Sequence, residues 1–151
     1  MKKLLFSLFL IFTSTLVFSQ NIENIEDVYY KNKELYTGIY IDYYSNNNVS
    51  EKLCIKNGLL DSISYSYFEN GNIKEQKSFK NGLKNGLWIL WDELGNKISE
   101  AYYKDNLKDG KWIIWDSNGI QRYEMFYEKG EKKGKWSIMD EKGNVVSVKE
   151  F

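Results

Sequence analysis

Short apolar runs alternate with polar turns along most of the chain, and this alternation has a fixed period. The run GLWILWD at residues 86–92 recurs as GKWIIWD at residues 110–116 and as GKWSIMD at residues 134–140, 24 residues later each time. A period of roughly 20 to 50 residues is the signature of a repeat array. The runs are rich in Ile, Trp, Tyr and Phe, which favour strands, and no stretch has the periodicity of a helix. The pattern therefore predicts an all-β protein.

Two turn signals divide each period into one β-hairpin. The sequence DELGN at residues 92–96 combines an Asp, which can bond the backbone two residues on, with a Gly that adopts positive φ easily. It predicts a type I turn followed by a residue in the left-handed region. Asn81-Gly82 and its equivalents predict the turn at the other end of each unit. The recurring glycines are Gly71, Gly95, Gly119 and Gly143 in the first turn, and Gly38, Gly86, Gly110 and Gly134 at the start of the apolar runs.

The period also predicts the architecture. We expect an elongated, open antiparallel meander of β-hairpins with about ten short strands, roughly 48 Å long at about 4.8 Å per strand. The first two units are the least regular, and Ser62 takes the glycine position of the second. Residues 20–34 are expected to form an N-terminal cap or lead-in strand, because terminal units of an array are atypical. The predicted units are residues 35–58, 59–82, 83–106, 107–130 and 131–151.

The first residues have the pattern of an export signal. Lys2 and Lys3 precede an apolar run over residues 4–18, and Val17-Phe18-Ser19 places a small residue at a cleavage point. This order predicts a secretory signal peptide over residues 1–19 and a mature chain that starts at Gln20. An uncleaved anchor is the alternative, but a bilayer-spanning helix needs about 20 apolar residues. We therefore expect the protein in the periplasm, at the cell surface or secreted, with no transmembrane span after cleavage.

Composition excludes several classes of chemistry. The chain has no His and a single Cys, Cys54, so it offers no Ser-His-Asp triad, no Cys-His pair and no His- or thiolate-based zinc site. The 21 basic and 21 acidic residues balance, and no basic patch predicts a nucleic-acid partner. We expect no catalytic residues, no cofactor and no metal. Cys54 is interpreted as a small residue in a strand, with an intermolecular disulfide as the alternative.

One column of acids is open to acid–base chemistry. Asp92, Asp116 and Asp140 recur at the period, and a pair of carboxylates about 5–10 Å apart is what glycoside hydrolysis requires. Each acid also stands where the turn favours Asp, which explains the spacing without catalysis. The same loops lack the several closely spaced oxygen ligands that a dedicated Ca²⁺ site needs. We interpret the acids as structural, and a hydrolase as the alternative.

Two aromatic columns recur at the period. We expect Trp88, Trp112 and Trp136 to pack as a structural ladder between neighbouring units. The second column is either a similar ladder or a strip that binds sugars or peptides, and it consists of Tyr43, Tyr67, Trp91 and Trp115. Pairing of Asp92 with Asn96 followed by regular alternation predicts two faces. One would carry Leu87, Ile89, Trp91, Ser99, Ala101 and Tyr103, and the other Trp88, Leu90, Asp92, Ile98, Glu100 and Tyr102.

The sequence WDELGNKISEAYYKDNLKDGKW, from Trp91 to Trp112, resembles the bacterial variant of the MORN repeat (membrane occupation and recognition nexus). Proteins with this repeat are often labelled YwqK-family antitoxins. The resemblance spans residues 35–151 and is most regular in the last three units. It implies an elongated β-hairpin array that serves as a binding or scaffolding surface, with no catalytic residues to carry over. An antitoxin acts beside its toxin, usually inside the cell, so the predicted signal peptide argues against that role here.

These features together predict an exported, non-enzymatic scaffold that binds a protein partner or itself in the cell envelope. The alternative is a carbohydrate- or peptidoglycan-binding module that uses the strip of Tyr43, Tyr67, Trp91 and Trp115. An antitoxin-like partner of a toxin is the less favoured third function. Phe151 falls in the aromatic column of Phe79, Tyr103 and Tyr127, and open sheet edges invite strand pairing. We therefore also expect another chain to cover the C-terminal edge.

Overall fold

The computed structural model describes residues 21–151, and the predicted signal peptide lies outside the described residues. All regular structure in the described part is β-strand, and none of it is a helix that could cross a membrane. The strands are β1 (Ile22–Ile25), β2 (Val28–Lys31), β3 (Glu34–Leu35), β4 (Gly38–Tyr43), β5 (Val49–Lys56), β6 (Leu59–Leu60), β7 (Ser62–Tyr67), β8 (Ile73–Lys80), β9 (Leu83–Lys84), β10 (Gly86–Trp91), β11 (Lys97–Lys104), β12 (Leu107–Trp115), β13 (Gln121–Glu128), β14 (Glu131–Met139) and β15 (Val145–Glu150).

The main sheet is an open antiparallel meander. Its hydrogen-bonded order is β15-β14-β13-β12-β11-β10-β8-β7-β5-β4, so each strand lies beside its neighbours in sequence. The two short strands β6 and β9 pair with β5 and β8 beside this path. The predicted all-β class and the open array of hairpins are therefore confirmed.

The turns follow the chemistry of their residues. At residues 92–96 the Gly95 amide donates to the Asp92 carbonyl over 3.0 Å, and Gly95 has a φ of +86°. This is the predicted type I turn followed by a left-handed residue. Asn47, with a φ of +66°, takes the glycine position in the first unit. At the other end, Asn81 and Gly82 have φ values of +50° and +79°, which identifies a two-residue type I′ turn.

A β-bulge in each hairpin corrects the predicted faces. Asp92 does pair with Asn96, and Trp91 pairs with Lys97, but Leu90 pairs with Ser99 because Ile98 is an extra residue. A one-residue shift moves every following side chain to the other face. Ser99, Ala101 and Tyr103 therefore share a face with Trp88 and Leu90, which we call the ladder face. The opposite face carries Leu87, Ile89, Trp91, Glu100 and Tyr102.

The glycine at the start of each apolar run lies at a second irregularity. Gly86 follows the break between β9 and β10 and has a φ of +104°. A Cβ atom on Gly86 would lie 3.1 Å from the Cβ of Ser78 on the neighbouring strand. Both the backbone conformation and the close approach explain why glycine recurs here. Ser62 takes this position in the second unit with a φ of +74°.

The N-terminal segment forms its own small sheet, β1-β2-β3, joined by two tight turns. Tyr29 of β2 docks on the main sheet, because its amide donates to the Gly58 carbonyl over 2.8 Å. Tyr29, Leu53 and Ile55 form the buried core cluster, and Ile22, Tyr36, Tyr40 and Leu60 pack against it. The small sheet thus covers the N-terminal end of the ladder face. We call these three strands the N-terminal sheet.

Candidate functional site

A continuous row of aromatic rings runs across the ladder face. Each tryptophan lies between two other aromatic rings, so the tryptophans alternate with Phe or Tyr instead of stacking on one another. Neighbouring ring centroids are 4.8 to 5.5 Å apart, with interplanar angles of 53° to 62°, which are favourable tilted contacts. We call this row the aromatic ladder, and its members in order are Phe79, Trp88, Tyr103, Trp112, Tyr127, Trp136 and Phe151.

The ladder is tied to the backbone by its indole nitrogens. Trp88 Nε1 donates to the Ser78 carbonyl over 2.9 Å, and Trp136 Nε1 donates to the Phe126 carbonyl over 2.9 Å. Trp112 makes the equivalent bond to the Tyr102 carbonyl over 3.3 Å. Each accepting residue lies on the preceding strand, where the pairing is irregular. The indole N–H therefore adds a hydrogen bond to a carbonyl group that lies at an irregular point of the strand pairing.

Three lysines at the 24-residue period cover the ladder. Lys84 Nζ lies 4.5 Å from the Trp88 centroid and 5.1 Å from that of Tyr103. Lys108 Nζ lies 4.1 Å from Trp112 and 4.7 Å from Tyr127. Lys132 Nζ lies 4.7 Å from Trp136 and 4.9 Å from Phe151. Each ammonium therefore makes cation–π contacts with two rings at once, and the three charges form a row along the array.

A shallow apolar groove lies beside the aromatic ladder. Two neighbouring depressions of the ladder face make it up, one in the second to fourth units and one in the last two. Aliphatic and small side chains from consecutive strands form its floor, and it runs across the strand direction. Rings of the aromatic ladder and the charged side chains of Glu75, Lys77, Lys132 and Lys149 also line it. We define the groove by Leu90, Ala101, Ile114, Met125 and Ile138.

Charge is segregated between the two faces of strands β10 to β15. In the strand register no carboxylate pairs on the ladder face, where the charged residues are Lys108, Lys132 and Lys149. The glutamates of these strands all pair on the opposite face. They are Glu100, Glu124, Glu128, Glu131 and Glu150. The chain is neutral overall, yet this part of the ladder face is positively charged.

The predicted binding strip lies on the opposite face, and its members do not form a stack. Tyr43 is 56% exposed, whereas Tyr67, Trp91 and Trp115 are half-buried. The residues that pair with them, such as Lys97 with Trp91, lie between consecutive members. Lys97 Nζ also sits 5.3 Å from the Trp115 centroid and bonds Glu100 over 2.8 Å. Single rings at two-strand spacing therefore alternate with polar groups.

The acidic column closes the turns. Asp92 accepts hydrogen bonds from the amides of Leu94 and Asn96 over 3.0 and 2.8 Å, and from the Asn96 side chain over 3.0 Å. These bonds, led by that of the Asn96 side chain, hold the Asp92 pKa below its usual value. Asp140 has the same arrangement with Lys142 and Asn144, and its pKa is lowered chiefly by the Asn144 amide.

Asp116 differs in having a cation as a partner. Desolvation opposes its ionisation, but the amides of Ile120 and Asn118 and the Arg122 guanidinium outweigh it and lower the pKa. The Arg122 nitrogen lies 3.3 Å from the Asp116 carboxylate. An ionised acid bound in this way accepts hydrogen bonds and is poorly suited to donate a proton. The described residues contain no cluster of acids, His and Cys that could hold a metal.

The sequence pattern did not reveal two parts of this site. The aromatic column of Phe79 recurs at the period, but the position of its rings between the tryptophans depends on the bulge at Ile98. The predicted faces also do not place Lys108 and Lys132 beside the tryptophans. The signal that could have found the lysine row is its period, since Lys84, Lys108 and Lys132 each precede a tryptophan by four residues.

Comparison with known protein families finds a match in the first three units. A sequence model of the MORN repeat variant matches three consecutive segments, residues 36–57, 60–81 and 84–105. No curated protein matches the chain. The matched segments lie in the first three units and include the two whose sequence is least regular. The open sheet of hairpins agrees with an array of this kind, and the three matched segments are similar to the MORN repeat variant.

Proposed function

We propose that this protein is an exported, non-enzymatic scaffold whose repeat array binds a protein partner, or a second copy of itself, in the cell envelope. The observation that carries the proposal is the exposure of both faces of the main sheet. Few large apolar side chains are buried, and one is Ile55, which is 4% exposed. Monomeric proteins seldom leave broad apolar surfaces in water, so a ligand is expected to cover part of this sheet.

Two further points support the proposal. MORN repeats are commonly protein- or membrane-binding repeats, which is compatible with a scaffold. The acids that could have supported hydrolysis are engaged in turn hydrogen bonds. Export rests on the sequence of residues 1–19 alone.

The test uses the full chain expressed in a host with an envelope. We expect the mature protein to start at Gln20 by mass spectrometry and to be recovered in an envelope or secreted fraction. Chemical crosslinking before lysis should then capture a partner, or a second copy, on the purified protein. A strictly monomeric protein with no crosslinked partner would overturn the binding role, and an uncleaved protein in the cytoplasm would overturn export.

A carbohydrate- or peptidoglycan-binding module is the second candidate function. The half-buried Trp91 and Trp115 favour it, because they place indole rings beside Lys97, Glu100 and Gln121. Aromatic rings flanked by polar groups suit sugars. Double substitution of Trp91 and Trp115 by Leu, which keeps an apolar side chain at each half-buried position, should then abolish pull-down by peptidoglycan and leave thermal stability nearly unchanged. A large loss of stability would show instead that these rings belong to the packing of the sheet.

A further inference from the structure

The geometry points to the partner's chemistry: we propose that the groove of the ladder face binds an acidic segment of a partner protein in the polyproline II conformation. The segment would lie across the strands, with apolar side chains on Leu90, Ile114 and Ile138. Carboxylates at every third residue would meet Lys84, Lys108 and Lys132. This inference rests on the proposed binding function and names the class of ligand and the surface.

Charge complementarity is the first argument. The groove has an apolar floor, and the row of three lysines runs along it on the aromatic ladder. One carboxylate, that of Glu75, lies at the N-terminal end of the groove beside Leu90, where it forms a salt bridge with Lys77. In strands β10 to β15 the salt bridges join other lysines to acids, such as Lys97 to Glu100 and Lys111 to Glu124. These residues lie on the opposite face. The ladder face of the last three units is thus apolar and cationic, which suits an acidic and apolar ligand.

The N-terminal sheet provides the second argument, because it already covers this face in the first unit. Its apolar residues Ile22 and Tyr29 pack on Leu53 and Ile55, while its sequence IENIED at residues 22–27 is acidic. Ile55 is therefore 4% exposed, whereas Phe151, which lies four periods later in the same column, is 39% exposed. The protein thus shows that apolar side chains of a separate segment can cover this face.

The aromatic ladder itself argues against a sugar at this site. Sugar rings stack on flat, open aromatic faces, but neighbouring rings in the ladder are tilted by 53° to 62° and pack on one another. Lysine side chains lie over them as well. The accessible groups are ammonium groups and aliphatic side chains, which match a peptide better than a glycan.

The spacing of the lysines selects the conformation of the peptide. Equivalent residues of consecutive units are two strands apart, or about 9.6 Å at about 4.8 Å per strand. A polyproline II helix has three residues per turn and repeats every ~9.3 Å, so residues three apart point the same way. A carboxylate at every third residue would therefore stay in register with the lysines. A segment that crosses the strands cannot join the sheet by backbone pairing, and the polyproline II backbone is solvated without internal hydrogen bonds.

The test measures binding of labelled peptides to mature protein by fluorescence anisotropy. One peptide has Glu at every third position between Pro and Leu residues, and a second has the same composition in scrambled order. We expect the first to bind about tenfold more tightly, the combined effect of three exposed ion pairs in register. Added salt should weaken it. Equal affinity of the two peptides, or preference for an acidic polysaccharide over both, would overturn the proposal.

Matched variants locate the site. Replacing Lys84, Lys108 and Lys132 together by Gln should abolish the preference for the ordered peptide, and replacing them by Arg should keep it. The control replaces three exposed lysines that lie outside the row, Lys80, Lys104 and Lys135, with the same change in charge. Retention of the preference in the first variant, or its loss in the control, would contradict the proposed site. A peptide with Gln in place of Glu tests the same contact without altering the fold.

The result also separates this inference from the proposed function. If the wild type and the triple Gln variant capture the same amount of crosslinked partner, the scaffold role stands. The proposal that the partner binds through an acidic segment is then overturned. Absence of any captured partner with the wild type would overturn the scaffold role itself.

Discussion

The indole nitrogen of Trp88 donates a 2.9 Å hydrogen bond to the carbonyl of Ser78, which also accepts the Asn85 amide over 2.9 Å. This carbonyl lies where the pairing between β8 and the following strands is interrupted. The tryptophan therefore has two roles, one through its ring in the aromatic ladder and one through its N–H at the irregular point of the strand.

The two roles of Trp88 can be separated by substitution. Trp88→Phe keeps an aromatic ring but removes the hydrogen bond to Ser78, and it should cost about 1 kcal/mol in the free energy of unfolding. Trp88→Ala removes both the ring and the hydrogen bond and should cost about 3 kcal/mol. This is the lower end of the usual range for replacing a large aromatic side chain by Ala, because the Trp88 ring is half-buried. Urea denaturation followed by circular dichroism measures both. Identical stability of Trp88→Phe and the wild type would contradict the role of the indole N–H.

A matched pair of glycines tests the docking of the N-terminal sheet. Gly58 and Gly82 both have a φ of +79°, so Ala carries the same backbone strain at each. A Cβ at Gly58 would lie 2.7 Å from Leu35 and 2.9 Å from Val28, whereas at Gly82 the nearest atom is 3.5 Å away. Gly58→Ala should therefore be more destabilising than Gly82→Ala by about 1–3 kcal/mol, the usual cost of overpacking.

The readout of this pair is local. Trypsin cleavage at Lys31 and Lys33, and amide exchange of Tyr29, should accelerate in Gly58→Ala and stay close to the wild type in Gly82→Ala. Equal acceleration in both variants would show that backbone strain, not contact with the N-terminal sheet, sets the effect.

The turn acids predict how stability depends on pH. The pKa of Asp92, Asp116 and Asp140 is lowered in the folded state from a reference value of 3.8. A depressed pKa contributes stability that is present above the unfolded value and lost as pH falls through the folded value. Thermal unfolding temperature should therefore drop below about pH 4.

Replacing all three acids by Asn should flatten this dependence, because Asn accepts the turn hydrogen bonds without titrating. The difference in unfolding temperature between the variant and the wild type is then larger at neutral pH than at pH values well below 3.8. A difference that is constant with pH would show that these carboxylates do not titrate differently on folding.

The lysine row also contributes to stability. Lys108→Gln removes a charge that lies 4.1 Å from Trp112 and 4.7 Å from Tyr127, and should cost about 0.5–1 kcal/mol as a cation–π contact. Lys108→Arg should be close to the wild type, and the exposed Lys104→Gln serves as the control. Differential scanning fluorimetry at low and high salt compares them. Equal effects of Lys108→Gln and Lys104→Gln would rule out a contribution from the rings.

The sequence was sufficient for the period, the strand class and the turns, because each depends on local chemistry. Gly95 after Asp92 specifies its turn regardless of what lies across the sheet. The two faces could not be predicted, because the extra residue Ile98 shifts the register and no feature of its side chain marks it. The positions of Trp88 and Tyr103 on one face follow only from that bulge.

The candidate site was harder to predict for a similar reason. Trp91 and Trp115 were as prominent in sequence as Trp88, but whether rings contact one another depends on what lies between them across two strands. Lys97 lies beside Trp91, whereas Tyr103 lies 5.2 Å from Trp88. Tyr29 lies before the first repeat unit, so the period could not predict that it packs on Leu53 and Ile55.

The turns at the edge of the sheet that carries Asp92, Asp116 and Asp140 differ between the two halves of the array. The side-chain amides of Asn46 and Asn48 donate to the Glu69 carbonyl of the next turn over 3.0 and 2.7 Å, and those of Asn70 and Asn72 reach Glu93 over 3.0 and 2.8 Å. From Asp92 onward each Asp closes its own turn, and Arg122 joins the last two turns by donating to the Asp116 carboxylate over 3.3 Å and to the Met139 carbonyl over 3.0 Å. A bending force on the array would thus be resisted jointly by the first three turns, which makes that half a stiff beam. Arg122 resists bending in the same way between the last two turns, so the array can bend most easily between the third and fourth turns, within the half that carries the lysine row.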